Sequence, residues 1–458
     1  MNLDFKYTLS TLPTIPKEDL KPLICAALKK SEKVIVVLDD DPTGTQTVHD
    51  VPVLTTWDLE TLEDELNQGS PIFYILTNSR SLTPELANKL NHEIGENLKS
   101  VFDKFEKEMI LISRSDSTLR GHYPNEVEAL AAGAGIESYG NVIVPAFFEG
   151  GRHTIEDIHF VKEKEELVPA ADTPFAQDKA FGFSQSNLKK WVEEKTKSKV
   201  KAEEVQSISI DTLRSKNIEE VKSYLNILPV SGTLIVNASD YYDLEKLALA
   251  FLSINSVIIF RSAASFVKAI AGLRSKPLLS REDLVDTNNQ NGGLIVVGSY
   301  VPKTSRQLAA LLENKDLQSI EINIDKVLKG EVYVQDKVEE ISRFLASGEH
   351  VVLYTSRELR TGKDGKFSLQ IGNIIADFVT ETVAGLSIIP KFIIAKGGIT
   401  SSDIATKALK IKRAIVAGQA LAGVPVWIPD GENQMPYIIF PGNVGDDDSL
   451  ALLFEKIK

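Results

Sequence analysis

The chain has 458 residues, more than one ordinary hydrophobic core can organise, so two domains are expected. Hydrophobic residues make up 43% and charged residues 25%, which excludes wholesale disorder, and 51 Lys+Arg against 64 Asp+Glu leave a net charge of −13, which excludes a bulk field for nucleic acid or an anionic membrane. A single cysteine, Cys25, and six scattered histidines exclude an intrachain disulfide and a Cys/His zinc site.

Residues 1–32 read as an N-terminal arm with a helix around Leu20–Lys29. No basic segment followed by an apolar one opens the chain, and no stretch is apolar for the ~18 residues a membrane span needs, so a cytoplasmic location is expected. Short β-branched runs then alternate with amphipathic stretches, the signature of an α/β protein. The runs are 34–40, 73–79, 109–115, 141–147, 233–239 and 257–263, then 293–299, 351–356, 392–398, 414–419 and 437–443. They are apolar throughout rather than alternating, which predicts mainly parallel sheets with helices on both faces. Thr83-Pro84 predicts the start of a helix reaching about Lys107, Pro302 opens another through Asn314, and 160–215 is a polar excursion. The stretch 272–292 lacks a period and ends in an Asn/Gly cluster, which predicts a linker. The expected architecture is two doubly wound, mainly parallel-sheet α/β domains, 33–271 and 293–458, with an active-site cleft between them.

Ligands in such sheets collect beyond the carboxyl ends of the strands. After the first strand stand Asp39, Asp40 and Asp41, then Pro42-Thr43-Gly44-Thr45-Gln46-Thr47. A helix cap would use one of these acids, and three together are expected where a cation, a donor cluster or proton transfer offsets their repulsion. The next strand ends carry Asn78 and Arg80, then Arg114-Ser115-Asp116-Ser117-Thr118-Leu119-Arg120-Gly121-His122, then Gly151-Arg152-His153. Arg80, Arg114, Arg120 and Arg152 can fork onto a carboxylate or phosphate, while Asn78 and Ser117 suit hydroxyl groups, so a small polyhydroxy acid is the expected ligand.

The second half carries another kind of site. Lys396-Gly397-Gly398-Ile399-Thr400-Ser401 follows a buried run and opens a helix, so the paired glycines let backbone N–H groups approach a phosphate; a plain glycine turn capped by Thr or Ser is the other reading. Gly298-Ser299 and Gly442-Asn443-Val444-Gly445 are glycine turns expected on the same rim, and together the three favour a nucleotide pocket. A small-acid site and a phosphate site predict phosphoryl transfer, which requires positioning, a metal ion and a carboxylate near the attacking hydroxyl.

Asp40-Asp41-Pro42-Thr43-Gly44, the run Arg114–Gly121, Lys396–Ser401 and Gly442–Gly445 resemble, in that order, the motifs of the four-carbon acid sugar kinase family over roughly 33 to 455. The resemblance implies an N-terminal substrate domain, a C-terminal nucleotide-binding domain, and ATP-dependent phosphorylation of a tetronate or 3-oxo-tetronate with Mg2+. It implies Asp40, Asp41, Asn78, Arg80, Asp116, Ser117 and Arg120 around the sugar acid, and Ser299, Gly397, Gly398, Ile399, Thr400 and Gly442 around ATP. Asp40, Asp41 and Asp116 are then the expected catalytic carboxylates, with Asp40 and Asp41 the candidates for metal binding. Three positions depart from the family pattern: Thr47 where a carboxylate is common, His122 where Asn is usual, and Ile399 where Glu is usual. The expected partners are the sugar acid and ATP, with neither nucleic acid nor membrane and with room for a homo-oligomer. Two other readings stand beside this one: a haloacid-dehalogenase-like phosphatase with Asp39 as nucleophile and Asp41 as its partner, drawing on Asp446–Asp448, and a sensor that binds both ligands without turnover.

Overall fold

The computed structural model describes residues 2–228, 232–285, 288–357, 365–431 and 434–458, with only the backbone at 365–370. The chain divides into two compact units, Met1–Ser275 and Lys276–Lys458. Each of the eleven apolar runs contains a strand. The two units carry parallel-dominated sheets, and the fold is the mixed α/β architecture expected.

In the first unit eight strands lie side by side in the order Gln206–Ile208, Thr233–Val236, Gly140–Val144, Ile258–Ser262, Met109–Arg114, Val34–Asp39, Ile72–Leu76 and Val51–Leu54, and all are parallel. Their apolar side chains are buried because helices cover both faces, as uninterrupted Val/Ile/Leu runs require. From Val34–Asp39 the chain first builds strands on one side and then reverses to Met109–Arg114 on the other. This switch point leaves a crevice at the carboxyl ends, where Asp39–Asp41, Asn78–Arg80 and Arg114–Arg120 emerge. The helix Pro84–Lys104 is capped by the Thr83 side chain, as its Thr-Pro start predicts.

The arm and the polar excursion have more structure than their sequences signal. Leu3–Asp4 joins Glu166–Pro169, Ile158–Glu163 and Arg152–Ile155 in a small antiparallel sheet. Trp191, inside the excursion, is fully buried and stacks on Tyr123. A buried ion pair of Arg214 with Asp243 also ties the arm, because Arg214 Nη1 donates to the Pro13 carbonyl at 2.7 Å.

In the second unit the order is Arg413–Leu421, Val424–Pro429, Tyr437–Phe440, Ile393–Lys396, Leu294–Val297, His350–Thr355 and Leu317–Ile322. The last five are parallel, whereas the first two form an antiparallel hairpin turning at Gly423, whose φ of 78° suits glycine. Leu294–Val297 has later strands on both sides, so a second switch point lies at Gly298-Ser299. The stretch read as a linker, 272–292, is not a free connection from Leu279 onward: Leu279, Leu284 and Val285 are buried in the second unit's hydrophobic core. Residues 286 and 287 of that stretch lie outside the described residues. Among the described residues no helix is long and apolar enough to cross a membrane.

Candidate functional site

The three strand ends of the first unit build one lattice of carboxylates and arginines. Arg80 grips Asp40 with two donors, Nε to Oδ2 at 3.0 Å and Nη2 to Oδ1 at 2.5 Å, and its Nη1 lies 3.5 Å from Asp41 and 3.6 Å from Asp116. Arg114 Nη1 donates to Asp39 Oδ1 at 3.2 Å, and Arg120 Nε to Asp116 Oδ2 at 2.8 Å. The repulsion among adjacent acids is thus offset by arginines. This corrects two expectations. The forks of Arg80, Arg114 and Arg120 point at protein carboxylates, and Asp40 and Asp41 together do not fit a magnesium ion, because Arg80 holds both oxygens of Asp40 and lies beside Asp41, whose Oδ1 is taken by Thr43. Among the described residues no group of three or more acids, histidines or cysteines is arranged to hold a metal.

The four carboxyls differ in environment. Burial pushes Asp39 up to about 7, helped by the charges of Asp40 and Asp41 and opposed by Arg114. Burial also raises Asp41, but Arg80 and two hydrogen bonds from Thr43 outweigh it and hold the group below the usual carboxylate range. Asp116 is lowered in the same way, against its burial, by Arg80, Arg120 and Thr118. Asp41 has the most exposed side chain, 22% against 2% for Asp39, 4% for Asp40 and 11% for Asp116. Asp39, the nucleophile of the phosphatase reading, is 2% exposed, and its carboxyl is packed so closely on Gly44 that a Cβ there would stand 1.9 Å from Oδ2.

The loop 116–121 needs unusual backbone, with Leu119 at φ 68° and Gly121 at φ 123°, and two buried side chains hold it in place. Arg261 Nη2 donates to the carbonyls of Asp116 and Arg120 at 3.2 and 3.0 Å, and His159 Nε2 meets the Ser117 carbonyl at 2.8 Å. Neither was singled out from sequence, although an arginine inside the run 257–263 is a signal that could have been used. Asn78 sits in the left-handed region beside Arg80, and Ser117 is buried within the loop. Two of the three departures are structural in this fold: Thr47 donates to the Ala264 carbonyl, and His122 bonds the Ser79 carbonyl.

His159 accepts from Thr154 through Nδ1, and burial pulls its pKa down to about 3. Its folded pKa lies below the unfolded value, so its contribution to stability is complete above about pH 6.5 and is lost as the pH falls from there towards 3. His159→Gln is expected to remove about 1.4 kcal/mol per pH unit of the acid-side slope between pH 6 and 4. Urea unfolding at several pH values measures this; parallel slopes for the two proteins would contradict it.

In the second unit a cavity of about 570 Å³ opens at the switch point. Gly298, Ser299, Gly397, Gly398, Ile399 and Thr400 form one end, and the helix Gly365–Ala384 contributes Asn373, Ile375, Asp377 and Thr380. Tyr300, Thr355, Asp403 and Lys407 complete the wall. Gly397 has φ 115°, a conformation glycine reaches readily, and the chain enters a helix at Gly398. Ile399, the third departure, is exposed on the cavity wall. Lys396 and Ser401 are structural instead: Lys396 is fully buried, donates to the Pro441 carbonyl at 2.6 Å and is pulled down to about 7 by burial and by Lys303, while Ser401 Oγ bonds the carbonyls of Ala395 and Gly397. Gly442 packs beside Ser299 and accepts from Thr304; Asn443 and Gly445 lie in an exposed turn, with Lys303 bonded to the Gly445 carbonyl. The residues on the helix Gly365–Ala384 were missed because its sequence carries no glycine turn or charge cluster.

A family's sugar-binding N-terminal domain matches residues 35–270, and its nucleotide-binding C-terminal domain matches 294–450. No curated protein matches the sequence. The fold is similar to the crystal structure of a DUF1537 protein of Haemophilus influenzae, with a TM-score of 0.63 and 17% identity over 92% of this chain and 100% of that one. It is also similar to that of a candidate tRNA synthase from Salmonella typhimurium LT2, with a TM-score of 0.67 and 16% identity over 92% and 98%. At such identities the two structures speak for the fold alone. With both domains matched in order along the sequence, the chain belongs to the DUF1537 family, the family of the four-carbon acid sugar kinases.

Proposed function

We propose that the protein transfers the γ-phosphoryl group of ATP to a hydroxyl of a four-carbon sugar acid such as a tetronate or 3-oxo-tetronate. The observation that carries the reading is the cavity at the second unit's switch point, lined by Gly397, Gly398, Ile399 and Thr400, where the helix Gly398–Asp403 begins and its first-turn N–H groups suit an anion, the Gly397 N–H itself being bonded to the Phe440 carbonyl. The acid lattice of the first unit supplies the acceptor side: Asn78 and Ser117 orient the sugar's oxygens, Arg80 holds the carboxylates in place, and Asp41 receives the proton. Asp41 suits that role because its side chain is the most exposed of the four carboxyls, and Thr43 bonds Oδ1 whereas Oδ2 has only the longer 3.5 Å contact with Arg80. In the transfer the hydroxyl oxygen bonds to the γ-phosphorus as the bond to the β–γ bridging oxygen breaks; ADP leaves and the hydroxyl proton passes to Asp41.

The test is incubation with MgATP and a panel of four-carbon sugar acids, following ADP. ADP release that requires the acid is the expected result. Phosphate release from a phosphoester without ATP would replace the kinase by a phosphatase, and binding of both ligands with no ADP would leave a sensor.

A further inference from the structure

The second unit holds another cavity, of about 500 Å³, at the opposite end of its sheet from the switch point. Ile393, the first residue of the strand Ile393–Lys396, lines it, whereas Gly397, just past the last, lines the switch-point cavity. Among the described residues the two cavities share no lining residue. The floor of this one is apolar: Val383, Ile393, Ile411 and Met435 are buried, and Leu386 and Leu409 are half-buried. One wall is fixed in place, because the side-chain amides of Asn289 and Asn291 donate to the Ile389 carbonyl at 3.2 and 2.9 Å. The mouth is basic. In Lys410-Ile411-Lys412-Arg413 the isoleucine turns inward while the lysines on either side of it stay exposed. Arg413 is bonded at 2.6 Å to Asp430, the one acid among the described lining residues, and neither lysine has an ion-pair partner among the described residues. In a chain of net charge −13 such a rim is a local exception, and it sets the sign of what the cavity attracts.

We infer that this cavity is a binding site for a small amphipathic anion, an unbranched carboxylate whose chain lies on the apolar floor and whose head is held at the mouth by Lys410 and Lys412. The volume falls in the range of about 300–1,000 Å³ usual for small-molecule sites. Water fills such a space poorly, since each molecule needs about two to four polar partners and the floor supplies none. A ligand charged along its length is excluded for the same reason, because its inner charges would be desolvated without partners. A neutral chain would gain the floor and leave the lysines unused, and a cationic one would be repelled at the mouth. The site stands apart from the proposed kinase reaction, so either can fail without the other.

The experiment is calorimetric titration of the full chain with butyrate, hexanoate and octanoate, and with octanol and octyltrimethylammonium as equal chains without the anion. Affinity is expected to rise roughly fourfold for each methylene buried. Octanoate should bind roughly tenfold more tightly than octanol, and the cation should not bind. The double substitution Lys410→Gln with Lys412→Gln should remove that tenfold advantage and leave octanol binding as in wild type. Leu386→Trp, which fills the floor, should abolish the binding of both. Thermal melting accompanies each variant; if Leu386→Trp does not fold, the surface double substitution decides. Saturating MgATP should leave octanoate bound. No octanoate bound by the wild-type protein, an affinity independent of chain length, or octanol or the cation binding as tightly as octanoate would each overturn the inference. So would unchanged octanoate affinity in the double variant, or displacement by MgATP, which would put octanoate in the switch-point cavity. Sedimentation of the wild-type and Leu386→Trp proteins tests the other occupant, a second copy of the chain: a dimer that Leu386→Trp dissolves would overturn the inference by making the cavity an interface.

Discussion

Gly397→Val is expected to abolish nucleotide binding while leaving acid binding to the first unit intact. At φ 115° a residue with a Cβ is strained, and the added atom would stand 2.9 Å from Ser299 Cβ and 3.5 Å from Thr400 Oγ1. The strain, about 1–3 kcal/mol, lowers stability in free and bound protein alike, whereas the loss of binding comes from the side chain, which displaces Ser299 and Thr400 at the cavity. Titration with MgATP measures the effect, with far-UV circular dichroism and melting to establish that the protein is folded. Wild-type affinity in a folded Gly397→Val protein would mean that the glycine only shapes a turn, and the proposed kinase would lose the observation on which it chiefly stands.

Asp41→Asn is expected to lower kcat by roughly 10²- to 10⁴-fold, the range for loss of a positioned general base, with the KM for ATP little changed. The substitution retains the size of the side chain and an oxygen for Thr43; the contact of Oδ2 with Arg80 Nη1 is lost with the proton acceptor, but the two-donor grip of Arg80 on Asp40 holds the lattice. Asp40→Asn tests the distinction between the two acids: it breaks the two-donor grip of Arg80, and its effect should fall on acid binding and stability as well as on kcat. A coupled ADP assay at saturating acid reads both. Near-normal turnover in Asp41→Asn would move the proton to Asp116, whose side chain is the next most exposed of the four carboxyls.

Much of the fold was legible because its strands are buried on both faces, so each one is written as an uninterrupted apolar run that composition alone reveals. The strands that escaped notice lack that mark. Val51–Leu54 is four residues long and contains Pro52, Leu317–Ile322 alternates with polar residues at a sheet edge, and Val424–Pro429 carries prolines at 425 and 429. The site was legible in its parts: polar residues after strand ends, three adjacent acids and paired glycines all stood out against the runs before them.

What the sequence by itself determined was the set of segments that meet at each switch point, since strand periodicity places Asp39–Asp41, Arg80 and Arg114–Arg120 at carboxyl ends and Gly298 and Gly397 at others. Which donor faces which acceptor was decided only by the tertiary structure. A guanidinium fork fits a protein carboxylate as well as a substrate's, so nothing local says that Arg80, Arg114 and Arg120 turn inward onto Asp40, Asp39 and Asp116 while Arg152 is left beside Phe175 without an anion. The same holds for Lys396, which reads as a phosphate ligand beside its glycines but whose ammonium is drawn into the core by the Pro441 carbonyl, a partner 45 residues further along the chain. Such pairings depend on distances between strands that are neighbours in space and remote in sequence, and burial then fixes them by making any unpaired charge costly.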